Sequence, residues 1–235
     1  MSWGGRTGCP FQYSALQFTI LCLKDIATAS IMALSLAGNP LTGDEFLMQI
    51  DDFLSKAQCK ALLERADIIE TNDLGNKAWH RAGAGGEYMR VLMIDTELAA
   101  ELWERVEPFL PSGKEYRGYK LLYLNNHFRF SKYNKNGHFP VHCDGKNYDS
   151  ARPDLTGEYG AESLFTLSIF LNDDFTGGAT DFLVPVNDEM KLRYSVKPAA
   201  GRAALFWGDQ YHRGERVEIP YKYLLRTDVM GMRSS

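Results

Sequence analysis

The chain has 235 residues, 45% of them hydrophobic and 24% charged, with a formal net charge of −4. This is the composition of an ordinary soluble globular protein, long enough to bury a sizeable core as one domain with N-terminal additions. The acidic balance argues against a nucleic-acid binder, which usually carries a basic face. The four cysteines, Cys9, Cys22, Cys59 and Cys143, form no CxxC pair, so a zinc-ribbon, thioredoxin-type or disulfide-dense secreted scaffold has no support. A reducing compartment, the cytoplasm, is the expectation.

Residues 1–43 carry no recognisable chemistry and are read as an N-terminal extension, with the main domain over 44–235. The apolar stretch Ala15 to Leu36 has Lys24 and Asp25 in its middle. It therefore lacks the unbroken run of about 20 residues that a membrane span requires. It is also a poor signal peptide. A buried or partner-facing helix over Gln17–Leu36, an unordered extension and a targeting role all stay open. Asn39-Pro40 marks a break, because the residue before proline avoids the helical region.

Phe46–Leu54 predicts a strand. Ser55 then opens a helix, since Ser55-Lys-Ala-Gln58 has the capping-box pattern and Leu62, Leu63 and Ala66 supply an apolar face. Residues 71–90 are polar and glycine-rich, with His80 among them, and predict a long loop of the kind that serves as a lid or binding loop. Arg90–Ile94 predicts a short strand. Asp95 or Thr96 caps the next helix, whose Leu98, Leu102 and Val106 form one apolar stripe, stopped by Pro108 and Pro111.

From Tyr119 the period changes. Short apolar runs over Lys120–Leu124, His127–Tyr133, Leu164–Leu171, Thr180–Val184, Leu192–Val196, Ala203–Trp207 and Tyr221–Val229 alternate with turn residues. Many short strands at this spacing point to a sandwich or jelly-roll barrel.

Within that region, His142 and Asp144 stand two residues apart. On a strand, positions i and i+2 share a face, so imidazole and carboxylate project together, while Cys143 points away into packing. His212 follows 70 positions later. Two histidines and one carboxylate are the facial ligand set of a non-haem Fe(II) site, which leaves metal positions open for other ligands. Lys222 and Arg226 share a face of a later, otherwise apolar strand with Leu224. Both are candidate cations for an anionic cosubstrate, and an edge strand with charges facing water is the alternative.

The combined motifs carry a family resemblance. They are Arg129-Phe-Ser-Lys-Tyr133 with Gly137 and Phe139 leading into His142-Cys-Asp144, and Thr166-Leu-Ser-Ile-Phe-Leu171-Asn172 through Gly177-Gly178-Ala-Thr180-Asp-Phe182. Val196-Lys-Pro198 to Phe206 follows, then His212-Arg-Gly214 through Lys222-Tyr-Leu-Leu-Arg226-Thr-Asp228. Over roughly Phe46 to Arg233 the chain resembles a prolyl 4-hydroxylase-like Fe(II)/2-oxoglutarate-dependent dioxygenase. The resemblance implies an α+β fold with a mainly β core, a double-stranded β-helix (jelly roll, cupin-like) with N-terminal helices packed on one side.

By position it implies His142, Asp144 and His212 as metal ligands and catalytic residues. It implies Lys222 and Tyr133 at the 5-carboxylate of 2-oxoglutarate, and Thr180 lining the cosubstrate pocket. Arg226 is a second candidate cation or a support for the site, and the choice between it and Lys222 stays open. The cofactors implied are Fe(2+), 2-oxoglutarate and O2, with ascorbate supportive. The reaction implied is C–H hydroxylation with release of succinate and CO2, and Asp144 as a carboxylate favours it over halogenation. The family often has tyrosine where Phe170 stands, and the Arg226-Thr-Asp228 ending resembles a branch broader than the collagen-modifying enzymes. The substrate implied is a prolyl residue in a peptide or protein. A free amino acid or small metabolite, or a catalytically silent metal- or partner-binding module, remain alternatives. Nucleic-acid substrates and a membrane span are not expected, and oligomeric state is left open.

Overall fold

The computed structural model describes residues 46–70, 79–82, 88–149 and 160–234. The expected helix over 17–36, the break at Asn39-Pro40 and most of the 71–90 loop lie outside the described residues.

Leu47–Ile50 (β1) leads to Lys56–Glu70 (α1); His80–Ala82 (β2) and Tyr88–Ile94 (β3) lead to Thr96–Val106 (α2). Glu115–Tyr116 (β4), Tyr119–Leu124 (β5), His127–Tyr133 (β6), Phe139–His142 (β7) and Tyr148–Asp149 (β8) follow. Next come Ala161–Phe170 (β9), Thr176–Gly177 (β10), Thr180–Val186 (β11), Glu189–Val196 (β12) and Ala203–Trp207 (β13). His212–Gly214 (β14), Val217–Ile219 (β15) and Lys222–Arg233 (β16) close the series.

The larger sheet has ten strands, ordered β1-β13-β9-β16-β6-β3-β2, with β5 also paired to β16. The smaller sheet runs β12-β11-β14-β7, and β10 and β15 form a short ribbon. Neighbours in both sheets are antiparallel. This is the expected double-stranded β-helix.

Side-chain alternation divides the larger sheet into two chemical faces. On one face Val91, Phe128, Phe130, Leu167, Ile169, Leu205 and Leu225 are buried in the main core, with Leu54, Leu102 and Val106 from the helical layer. Each such side chain contributes roughly 2 kcal/mol by leaving water. The alternate positions, including Arg90, Ser131, Thr166, Ser168 and Lys222, line a cavity whose opposite wall is the smaller sheet. Phe170, Phe182, Val196, Ala204 and Phe206 pack in a second cluster shared by the two sheets.

Both helices pack against the first face, as expected of helices on one side. The capping box at α1 is formed, with Ser55 N donating to Gln58 Oε1 at 2.8 Å and Gln58 N to Ser55 Oγ at 3.2 Å. At α2 the Asp95 carboxylate accepts from Leu98 N at 2.8 Å. Such a cap is worth about 1 kcal/mol. Gly201 sits at φ +86°, and a Cβ there would lie 1.8 Å from the Leu54 carbonyl oxygen. Its backbone bonds Leu54 and Phe170, which ties the helical layer to β9.

Three local expectations need correction. The 71–90 segment is not loop throughout, because His80–Ala82 pairs with Tyr88–Arg90 and Tyr88 is buried. The strand expected over Phe46–Leu54 is shorter, ending before Asp52, which turns the chain at φ 53°. The His-Cys-Asp triplet does not lie on one strand: β7 ends at His142. Cys143 is therefore not an inward-packed strand residue; it is partly exposed and its Sγ lies 3.0 Å from the Asp209 carbonyl oxygen.

Candidate metal centre and cosubstrate pocket

His142 ends β7, and β14 pairs with it so that His142 and His212 stand opposite each other. Their ring centroids are 4.2 Å apart. Asp144, just past the strand, is fixed by its backbone: its N–H donates to Gly208 O at 2.9 Å, and Gly208 N donates to Leu164 O of β9 at 2.9 Å. Expected ligands from two separate stretches thus meet. One ligand atom from each of His142, Asp144 and His212 lies within 4.8 Å of the others.

The rings are oriented from behind. Nδ1 of His142 lies 2.9 Å from Pro140 O, and Nδ1 of His212 lies 2.9 Å from Gln210 O. A carbonyl only accepts, so the fitting tautomer carries hydrogen on Nδ1 and leaves the Nε2 lone pair facing inward. Nε2 of His142 is 3.4 Å and Nε2 of His212 is 3.7 Å from Asp144 Oδ1. In that tautomer three lone-pair donors face one point, an arrangement that a cation satisfies.

Electrostatics favour the same protonation states. Burial pushes the His212 imidazole down to about 4, against the opposing pull of Asp144, so the ring is neutral at physiological pH. Burial would raise the Asp144 carboxyl, but the adjacent His142 ring, the Arg226 guanidinium and the Thr166 hydroxyl hold it well below its ordinary value. Thr166 Oγ1 donates to Asp144 Oδ2 at 2.5 Å, and Arg226 Nη1 lies 2.8 Å from Asp144 Oδ1.

Lys222 and Tyr133 lie deeper in the same cavity. Lys222 is 1% exposed, and its Nζ donates to Gly178 O at 2.6 Å. It sits 5.0 Å from the Tyr133 ring centroid and 5.3 Å from that of Phe170. Burial pushes its ammonium down to about 7, despite Glu215 and Asp181. Among the described residues it has no carboxylate within ion-pair distance. Burial raises the Tyr133 hydroxyl, and Tyr88, stacked at 4.9 Å, adds to this. Thr180 lines the cavity from β11. The face shared by Lys222, Leu224 and Arg226 is therefore inward, and the edge-strand alternative does not hold. Arg226 already has two acidic neighbours, Asp144 and Asp228, the latter at 3.5 Å.

Sequence reasoning missed Thr166, Arg90 and Asp228. Thr166 and Ser168 are the polar alternates in β9, a signal lost when that run is read only as apolar. Asp228 is 1% exposed and accepts from Arg129 at 3.0 Å and Asn147 at 2.9 Å. Nothing local in the sequence marks it as buried.

Residues 128–227 match the family model of the 2OG-Fe(II) oxygenase superfamily. Over those residues the chain is similar to the 2OG-Fe(II) oxygenases. The matched segment spans every expected site residue, and the family implies Fe(2+), 2-oxoglutarate and O2 for the oxygenase. No curated protein sequence matches it. Among solved structures, it is similar to the viral collagen prolyl hydroxylase of Paramecium Bursaria Chlorella virus-1, solved as a 2-oxoglutarate complex: 20% identity, TM-score 0.51, covering 80% of this chain and 97% of that one. A Pseudomonas putida prolyl-4-hydroxylase matches at 15% identity and TM-score 0.51, covering 80% and 93%. A Trichoplax adhaerens prolyl hydroxylase, in complex with a hypoxia inducible factor peptide fragment, matches at 15% identity and TM-score 0.52, covering 78% and 82%. At these identities the oxygenase shares their fold. No described helix is long and apolar enough to cross a membrane.

Proposed function

We propose that the oxygenase hydroxylates a prolyl residue of a peptide or protein, with residues 44–235 as the working domain. His142, Asp144 and His212 are the iron ligands. The observation that carries this reading is the convergence of two Nε2 atoms and a carboxylate oxygen in a cavity that also buries a lysine without a carboxylate partner. The donor set fits Fe(II), since neutral imidazoles and one carboxylate hold the ion without filling its coordination sphere. Bound Fe(II), with 2-oxoglutarate and O2, supplies the oxidising chemistry that turns C–H into C–OH as succinate and CO2 leave.

The chain's own residues do the rest. Lys222 pairs with the 5-carboxylate, because its buried ammonium gains most from an anion brought to it in low dielectric. The Tyr133 hydroxyl stays protonated and donates to that same end. Thr180 borders it. Arg226 and Thr166 orient Asp144 rather than the cosubstrate, since their polar groups already meet its carboxylate. The apolar wall of Phe139, Phe206 and Leu224 keeps water from the reacting centre. A peptidyl substrate is supported by the fold shared with prolyl hydroxylases, one of them bound to a peptide.

The test is succinate formation with Fe(II), 2-oxoglutarate and ascorbate, with and without proline-rich peptides, followed by mass spectrometry. The reading expects peptide-dependent succinate and the mass gain of one oxygen atom on the peptide. Peptides that neither stimulate turnover nor gain oxygen contradict the prolyl assignment.

A further inference from the structure

The cavity has four cationic side chains on adjoining strands, and three are accounted for. Arg129 is matched by Asp228 at 3.0 Å, and Arg226 by Asp144 at 2.8 Å. Lys222 is assigned above to the cosubstrate. Arg90, on β3, remains. Its Nη2 donates to the Tyr88 hydroxyl at 2.9 Å, and its Nε is buried without a hydrogen-bond partner. Among the described residues it has no acidic partner within ion-pair distance. A buried N–H left unmet is uncommon and costly in a native structure.

Register shows where this guanidinium stands. Arg90 pairs with Ser131 on β6, and Ser131 pairs with Leu224 on β16. It is therefore two strands from the strand that carries Lys222 and Arg226, roughly 10 Å at about 4.8 Å per strand. Asp144 is held on the far side, by Thr166 of β9 and Arg226 of β16. Two residues further along the same face of β3, Leu92 is 56% exposed. Arg90 thus lies on the flank of the cavity away from the metal ligands, next to an apolar rim.

The 5-carboxylate of 2-oxoglutarate is assigned above to Lys222, and His142, Asp144 and His212 would hold the metal that takes its 2-oxo acid end. We propose that Arg90 binds a carboxylate of the molecule being hydroxylated. The inference rests on the function proposed above and narrows its substrate class to compounds with an anionic group beside the target carbon. The planar fork of guanidinium N–H donors matches a carboxylate two-pronged, which an amide cannot reproduce. Two sources present this chemistry: an acidic side chain flanking the target residue of a peptide, or the free α-carboxylate of an amino acid.

The test uses full-length protein loaded with Mn(II) and N-oxalylglycine, an unreactive analogue of the cosubstrate. Binding of acid and amide pairs is read from paramagnetic broadening of their proton signals. The probes are N-acetylproline against N-acetylprolinamide, and acetyl-Pro-Glu-amide against acetyl-Pro-Gln-amide. At least one acid is expected to bind roughly ten-fold more tightly than its amide, the scale of a charge-assisted hydrogen bond. The pair that discriminates identifies the source.

Arg90→Gln removes that preference and leaves Mn(II) and N-oxalylglycine binding unchanged, while Arg90→Lys restores part of it. Acids and amides that behave alike, binding or not, overturn the proposal. So does a preference that survives Arg90→Gln, or an Arg90→Gln protein that loses N-oxalylglycine instead. Wild-type protein that takes up neither Mn(II) nor N-oxalylglycine sinks the proposed function and this inference together. Intact loading without acid preference sinks the role of Arg90 alone.

Discussion

The Asp144 carboxylate has a proton donor on one oxygen and a guanidinium on the other, with two imidazoles beyond. Such partners set the direction in which a ligand presents its lone pairs, and their loss typically weakens metal binding ten- to hundred-fold. Thr166→Val keeps the shape and removes the hydroxyl that donates to Asp144 Oδ2. Titration with Fe(II) or Mn(II) should show at least about ten-fold weaker binding, and unchanged affinity would make Thr166 a packing residue.

Lys222 gives a pH signature. In the folded protein without cosubstrate its pKa falls from 10.5 to about 7, so between those values the unfolded chain binds more protons. Its contribution therefore makes the protein more stable as pH rises through that window, and below about 7 the cost of burying the ammonium is felt in full. A carboxylate placed at Nζ reverses the shift. Cosubstrate binding should take up close to one proton at about pH 8 and weaken as pH rises further. Calorimetry in two buffers of different ionisation enthalpy measures this, and zero uptake would contradict the assignment of Lys222.

These single residues were unequally legible. His142, Asp144, His212 and Lys222 stand out because charged or ligating side chains interrupt apolar runs at fixed spacing. Thr166 and Arg90 do not, because one hydroxyl in a strand or one arginine beside a polar segment has no local mark of burial.

At the scale of elements, period-2 alternation transmits well from sequence to structure. His127–Tyr133 and Ala203–Trp207 form with the expected bounds. The ends of elements are less readable, because turns and ladder partners set them. β16 runs on to Arg233, since β5 and β9 supply ladder partners beyond Val229.

The Gly177-Gly178 pair reads as a tight turn, and both residues have positive φ, but Gly178 also makes room for Lys222. At φ +69° a Cβ there would lie 2.9 Å from Lys222 Cδ. Gly178→Ala should destabilise the protein by about 1 kcal/mol or more, because alanine is strained at positive φ. It should also raise the 2-oxoglutarate requirement by displacing Lys222. Stability is read from denaturant unfolding and the requirement from succinate release. A variant with unchanged cosubstrate affinity would place Lys222 away from the 5-carboxylate.

Across the whole molecule, two sheets and one helical layer divide the labour. The outer face of the larger sheet buries its apolar side chains under α1 and α2 and supplies the main core. The inner face carries the polar alternates and meets β7 and β14, which bring the two histidines. The larger sheet therefore holds the proposed cosubstrate end and the smaller sheet most of the proposed metal end, so the site exists only when both are folded together. This division was foreseeable as a fold class from strand count and spacing. The register that opposes His142 to His212 was not, because it is fixed by long-range pairing between β7 and β14.

The most direct measurement is an anaerobic titration of Fe(II)-loaded protein with 2-oxoglutarate, followed by the visible charge-transfer absorption of a 2-oxo acid chelated to Fe(II). The account predicts a saturable band at one equivalent, absent in His142→Ala and reached only at higher 2-oxoglutarate in Lys222→Ala. A wild-type protein with no band at saturating Fe(II) and 2-oxoglutarate, or a band that persists in His142→Ala, would contradict it.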